Sequence, residues 1–376
     1  MISAAKVTNS ATVALHCGGF IGLFAGNLPS AMLPEVGRTY GVSSATAAYG
    51  LTAFLVPASV LLLWSGTLAT RWGAARTTRV AYLIFAAATV VCVVSKSFEV
   101  FIAGRFLQGL ATAFFSPLLV VALAATTRED RLGRTMARFA STQAAAVTFA
   151  PIVGGLAAEA SWRIAFAVTA VLAIALALSP VPMPSRPDRG AQPVTLRSAL
   201  RPAVLRIGLS SLISKACIGG LAFMVALRAE DVFNLGPALR GLVLTGFGLC
   251  ALLGGSFVGR LVDRLGAAGA AVAGSICGAL LVVFAGILPS PVTMAAAWSL
   301  AGMAAQWVTV SLSTMSLKDK GVNHAGEVSV VQALRNAGGA AAPVAFAPLY
   351  SLVPLAGFAV PAILLATSIP LLLRRR

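Results

Sequence analysis

The sequence predicts an all-α polytopic membrane protein, with twelve transmembrane helices arranged as two pseudo-symmetric six-helix bundles. Three observations predict it. Hydrophobic residues make up 58% of the chain and charged residues only 10%, whereas a soluble domain carries about 25% charged residues. Apolar stretches of membrane-spanning length, about 20 residues, recur along the chain. Most tellingly, the chain repeats itself. Leu51, Thr52 and Phe54 recur as Leu244, Thr245 and Phe247, an offset of 193. At the same offset Gly66, Arg71 and Gly73 recur as Gly259, Arg264 and Gly266, and Gly109 as Gly302. Gln143 recurs as the similar amide Asn336, while Pro151 and Phe166 recur as Pro343 and Phe358 at an offset one shorter. Duplicated helical units in so apolar a chain point to an alternating-access transporter, whose substrate site lies between the repeats near mid-membrane.

The twelve spans start near Ala11, Ala48, Ala81, Val100, Met136, Ile164, Ile207, Leu242, Ala267, Val292, Val328 and Leu355. The first follows a short basic start (Met1 to Lys6), as a signal peptide would. It continues too long for that and is read as an uncleaved helix. Residues 1–183 form the first bundle and 204–376 the second. Between them, residues 184–203 are polar and rich in Pro and Arg, as suits a flexible or partly helical cytoplasmic linker.

Net charge of +17 could suggest nucleic acid, but its distribution reads as topology. With both termini cytoplasmic and the spans alternating, the cytoplasmic side holds 20 of the 28 Lys and Arg residues. The opposite side holds five, Arg38, Lys96, Arg163, Arg228 and Arg240, and three lie within spans. That bias sets the orientation by the positive-inside rule. The expected setting is a bacterial inner membrane. The expected partners are a small-molecule substrate, protons as the coupling ion and the bilayer with its anionic lipids. Nucleic acid is not expected, and the chain is expected to act as a monomer. The five cysteines all lie in apolar segments without paired or metal-ligand spacing, so neither a disulfide framework nor a metal is expected, and no cofactor is implied.

Three motifs carry chemistry. Between the eighth and ninth spans stands Gly259-Arg-Leu-Val-Asp263-Arg264-Leu-Gly266. Its glycines permit a tight turn between helices, and Asp263 can accept hydrogen bonds from the start of the ninth span and complement its dipole. The first copy reads Gly66-Thr-Leu-Ala-Thr70-Arg71-Trp-Gly73, with Thr70 in place of the acid. This pair resembles the loop signature of the major facilitator superfamily, G-x-x-x-D-R-x-G. The resemblance covers essentially the whole chain and implies the major facilitator fold, with these loops as cytoplasmic latches that close in one state and open in the other. In the fourth span, Arg105-Phe-Leu-Gln108-Gly109 resembles the family's R-x-x-Q-G motif, whose arginine is associated with proton coupling. In the fifth, Ala150-Pro151-Ile-Val-Gly154-Gly155 resembles the antiporter signature G-P-x-x-G-G, with Ala for the first Gly. Trp162-Arg163-Ile-Ala-Phe166 follows, as is common in the drug/proton antiporter branch. Small residues there allow close helix approach and the proline a bend.

The charges inside the membrane are one-sided. Arg105, Lys215 and Arg335 lie deep in the fourth, seventh and eleventh spans, and no Asp or Glu lies comparably deep. Many antiporters that take cations carry a carboxylate in the first span, where this chain offers His16 and Asn27. Embedded cations attract an anion and repel a cationic drug. Gln143, Gln306, Gln332 and Asn336 are candidate polar lining, and His16 could titrate near neutral pH. Glu327, at the start of the eleventh span, suits the helix dipole.

Two transport readings follow. One is a proton-coupled exporter of small organic molecules. The other is an uptake permease or exchanger for an organic anion on the same fold. A membrane enzyme would need a convergent acid, base or metal cluster that the spans do not offer, and without a nucleotide-binding G-x-x-x-x-G-K-[ST] loop the energy must come from gradients.

Overall fold

The computed structural model describes residues 9–179, 201–318 and 324–373, and among them every regular element is a helix. In the first copy α1 (Asn9–Asn27) passes through a 3-10 turn (Leu28–Ala31) into α2 (Leu33–Tyr40). The short α3 (Ser44–Ala47) leads into α4 (Tyr49–Trp72), followed by α5 (Ala74–Val94), α6 (Phe98–Thr126), α7 (Glu129–Ala158) and α8 (Trp162–Leu178). The second copy opens in the same broken way. There α9 (Pro202–Cys217) ends at Ile218, and a 3-10 turn (Gly219–Leu221) leads into α10 (Ala222–Asp231). Then come α11 (Pro237–Leu253), α12 (Gly255–Ile287), α13 (Pro291–Lys318), α14 (His324–Leu352), α15 (Pro354–Thr367) and α16 (Ile369–Leu373).

Eight stretches are long and apolar enough to cross a membrane, and α8 and α11 are shorter apolar helices. With the long helices α13 and α14, each of the twelve expected spans has a helical counterpart among the described residues. The eighth runs through α11 and on into α12, as far as Gly266. That residue, at φ 70° and ψ 156°, breaks the helix so that the ninth span begins at its far side. Its equivalent Gly73 sits between α4 and α5 at φ 86°. Both repeats therefore turn on a glycine in a conformation costly to any residue with a Cβ.

Several spans start earlier than their apolar stretches. The third begins at Ala74 rather than Ala81, and the fifth at Glu129 rather than Met136. In each the added turns carry arginines (Arg76 and Arg79; Arg131 and Arg134), so the helix continues past the apolar band into polar surroundings. The expected linker falls mostly outside the described residues, and its last two positions already belong to α9, where Pro202 takes the first helical position.

Packing repeats as the sequence does. α4 packs on α6 as α11 packs on α13, and α5 on α6 as α12 on α13. Likewise α5 packs on α8 as α12 on α15, and α1 on α7 as α9 on α14. The repeated glycines show why the pairs are so close. A Cβ on Gly109 would overlap the carbonyl of Phe54, and one on Gly302 would overlap the carbonyl of Phe247. All four positions are members of the sequence repeat. Two seams then join the copies, α4 against α14 and α7 against α11, and the exchange of copies turns one seam into the other.

Candidate functional site

The α7–α11 seam is built from small residues. A Cβ on Gly155 would overlap the Pro237 carbonyl, one on Gly241 would strike the Pro151 carbonyl, and one on Gly154 would overlap the Leu28 carbonyl in the first 3-10 turn. Pro151, Gly154 and Gly155, predicted as an antiporter-like motif, thus form the contact between the fifth span, the eighth span and the break in the first. Glu159 closes this end by accepting a hydrogen bond from the Ala238 amide in the first turn of α11, at 3.0 Å. Towards the loop-signature end the glycines make no such contacts. Gly133, Gly255 and Gly259 have nothing within 4 Å of a Cβ position. Glycine-to-backbone contact between the copies is thus present at the first end, and these three glycines make none at the other.

A four-residue ionic lock caps the tight end. Arg240, in the first turns of α11 and 1% exposed, donates from Nη2 to Glu35 Oε1 on α2 and from Nη1 to Glu230 Oε2 on α10, both at 2.5 Å. Arg38 joins from outside, 2.7 Å from Glu35 and 3.3 Å from Glu230. Exposed pairs such as those of Arg38 contribute about 0–1 kcal/mol, whereas breaking a buried pair costs about 3–5 kcal/mol. Arg240 therefore dominates. The lock is incomplete, since Glu35 Oε2 and Arg240 Nε are buried without partners, which limits its net stabilisation. Sequence reasoning missed this cluster because it weighed acids by their depth in the spans, and neither Glu35 nor Glu230 lies deep. The available signal was the Glu35–Arg38 spacing of three on a short helix, with Glu230 and Arg240 in the equivalent region of the second copy.

The three embedded cations part company. Arg105 is fully buried and fully engaged. Nε donates to the Gly50 carbonyl at 3.1 Å, and Nη1 donates to the Ala25 carbonyl at 3.0 Å and to Gln108 Oε1 at 2.8 Å. Gln108 in turn donates to Thr89 at 2.7 Å, and the guanidinium lies 4.6 Å from the Phe54 ring. The motif in the fourth span thus ties α1, α4 and α5 to α6, and neither side chain reaches open space here.

Lys215 and Arg335 are only partly buried, and among the described residues neither has a hydrogen bond or a carboxylate partner. They lie within electrostatic reach of each other. Lys215 sits in the last turn of α9, just before the break at Ile218. A Cβ on Gly219 would come within 3.0 Å of its Nζ, and one on Gly339 of α14 within 3.6 Å of both its Cε and Leu55 of α4. The lysine therefore stands at the seam between copies.

Asn336, Gln143 and Gln306 are partly buried and form no side-chain hydrogen bond among the described residues. Asn27 ends α1 at the first break and donates to its own helix at Leu23, 2.9 Å away. His16 lies 3.2 Å from Thr142 Oγ1, one turn beyond Arg138, and meets Phe139 edge-on. It belongs to the α1–α7 contact, about three turns before the break that ends α1.

The loop signature is disengaged. Asp263 and Arg264 are exposed, and among the described residues neither forms an ion pair or hydrogen bond. The expected cap from Asp263 to the start of the ninth span is not made, because the turn is closed by Gly266 alone. In the first copy, the side chains at Gly66, Thr70 and Arg71 lie outside the described residues, as do those of Glu129 and Glu327.

A family model described as the Major Facilitator Superfamily matches residues 15–374. The chloramphenicol resistance protein of Streptomyces lividans is 28% identical over 255 residues, covering 65% of this chain and 64% of that protein. The methylenomycin A resistance protein of Bacillus subtilis (strain 168) is 26% identical over 149 residues, 39% of this chain and 32% of that protein. An uncharacterised transporter of the same Bacillus strain, YhcA, is 26% identical over 163 residues, 43% of this chain and 31% of that protein. The match spans about a third of the length of these last two relatives. Among solved structures, the nucleoside transporter NupG superposes with a TM-score of 0.79 at 13% identity, covering 97% of this chain and 100% of that one. A peptide transporter, POT, gives 0.78 at 13% identity, over 96% of this chain and 93% of that one. At such identities the likeness is one of fold.

Proposed function

Because the chain belongs to the major facilitator superfamily, we propose that it is a proton-coupled secondary transporter that exports small organic molecules by alternating access. The observation that carries alternating access is the asymmetry of the seams. Glycine contacts and the Arg240 lock hold one end shut, while at the loop-signature end Gly133, Gly255 and Gly259 make no such contact and Asp263 is unpaired among the described residues. Export is supported by the Pro151–Gly155 motif at the seam and by the two relatives named for antibiotic resistance. In this reading residues 1–183 and 204–376 rock against each other as two bundles joined by 184–203. The termini and loop signatures face the cytoplasm of a bacterial inner membrane, and the described state faces inward. Small-molecule transport is not fixed by fold, so direction needs a direct test. Everted vesicles containing the chain should accumulate chloramphenicol when their lumen is acidified, and a protonophore should abolish the uptake. Accumulation confined to right-side-out vesicles would overturn export.

A second reading, uptake or exchange of an organic anion, is favoured by one observation. Lys215 stands at the seam with Arg335 within electrostatic reach, and among the described residues no carboxylate pairs with either.

A further inference from the structure

The two first helices of the repeats are both interrupted near their middles, α1 at Asn27 and α9 at Ile218. Interrupted helices in a transporter mark places where backbone and charge serve a ligand, because irregular backbone in the membrane is tolerated only inside protein or beside a cavity. The second break carries a cation at its lip. Lys215 lies in the last turn of α9, where the helix dipole favours positive charge. Gly219 and Gly220 follow on the chain, and Gly339 faces the lysine from α14, so the ammonium stands in a slot with walls that lack side chains. Arg335, one turn before Gly339 on the same α14, adds a second positive charge to it.

The geometry points to an anion-binding site at the α9 break, in which Lys215 and Arg335 jointly hold the carboxylate of a small organic acid. The assignment rests on the transport reading for its purpose but not for its chemistry. Arg105 shows how this fold treats a structural cation, with its donors bonded to carbonyls and an amide. Among the described residues, Lys215 and Arg335 have none of that. Two uncompensated cations at membrane depth are costly, by about 2.5–3.5 kcal/mol each on insertion scales, and an anionic group offsets both at once. A guanidinium fork suits two carboxylate oxygens, and an ammonium is a point charge that can take one of them from the side. Gly219 brings no side chain against Nζ, and Leu55 of α4 supplies an apolar neighbour contributed by the other copy. The ligand class is therefore an organic monoanion with an apolar body.

Three probes of nearly equal size separate charge from shape: benzoate, benzamide and benzylammonium. Thermal unfolding of the full-length protein in detergent would be followed with each at millimolar concentration. Benzoate should raise the midpoint, with benzamide and benzylammonium having little or no effect. Lys215→Gln and Arg335→Gln should each abolish the benzoate shift. Gly219→Ala keeps both charges but places a methyl 3.0 Å from Nζ, and should weaken benzoate by about tenfold or more. Equal shifts from benzamide, or a full benzoate shift in both neutral variants, would overturn the site. If a variant does not fold, the probe series on the wild type still decides between anion, neutral and cation. Vesicle flux separates this site from the transport reading. Benzoate binding without flux of any probe would leave the site standing and remove transport. Flux of a neutral compound without benzoate binding would do the reverse.

Discussion

Arg240 Nη2 lies 2.5 Å from Glu35 Oε1, joining residues 205 positions apart in sequence and on different repeats. The guanidinium is 1% exposed and also holds Glu230. One buried side chain thus fastens the α2 end of the first copy to both α10 and α11 of the second. It acts only while that end of the molecule is shut.

Removing that guanidinium should open this end. Arg240→Gln leaves two carboxylates without their buried partner, a loss of about 3–5 kcal/mol to the closed state. With the five native cysteines replaced by serine, a cysteine at Ala238 should react faster with a membrane-impermeant maleimide in Arg240→Gln. Adding Glu35→Gln and Glu230→Gln should return much of the protection, because no charge is then left stranded. Unchanged labelling across the series would mean that the lock does not hold the end closed.

The duplicated glycine contacts should respond alike. Gly109→Ala and Gly302→Ala each drive a methyl into a backbone carbonyl, of Phe54 and Phe247 respectively. Overpacking of this kind costs about 1–3 kcal/mol. Both variants should unfold at lower temperature by similar amounts, and one neutral variant beside one damaging one would break the equivalence.

At the seam the expected effect is on cycling. Gly155→Leu or Gly241→Leu would wedge α7 from α11 where backbone meets backbone. Transport should fall by at least tenfold while the protein still reaches the membrane, and the Ala238 cysteine should become more reactive, as with the broken lock. Normal transport in both variants would rule out close approach here as part of the cycle.

Among the described residues Asp263 has no partner in this state, so Asp263→Asn should leave the protein's thermal stability within about 0.5 kcal/mol, as for an exposed surface change. A latch made in the opposite state predicts slower turnover with unchanged probe binding. Loss of probe binding with normal expression would contradict a gating role.

Much of the fold was legible because membrane and duplication leave strong marks. The apolar stretches locate the spans, and the Gly73/Gly266 and Gly109/Gly302 pairs turn out to occupy equivalent turns and contacts. Boundaries were less legible where helices outrun the apolar band, as at Ala74 and Glu129. Charged residues were the hardest to place. Arg105, Lys215 and Arg335 look alike in sequence, yet only the first is enclosed by carbonyls, since its neighbours come from α1 and α4, far away along the chain. Glu35 and Glu230 drew no notice in the sequence, because their meeting with Arg240 depends on how the two copies dock.

The broken first helices carry a mechanical implication. Glu35 and Glu230 ride on α2 and α10, the short distal pieces beyond the two 3-10 turns. The helical ladder is already interrupted at Leu28–Ala31 and Gly219–Leu221, so bending there sacrifices few further hydrogen bonds. The distal pieces can turn as two short flaps about these breaks while α1 and α9 stay seated in their bundles. Such a hinge permits an intermediate in which the ligand is sealed from both sides before the larger halves have moved.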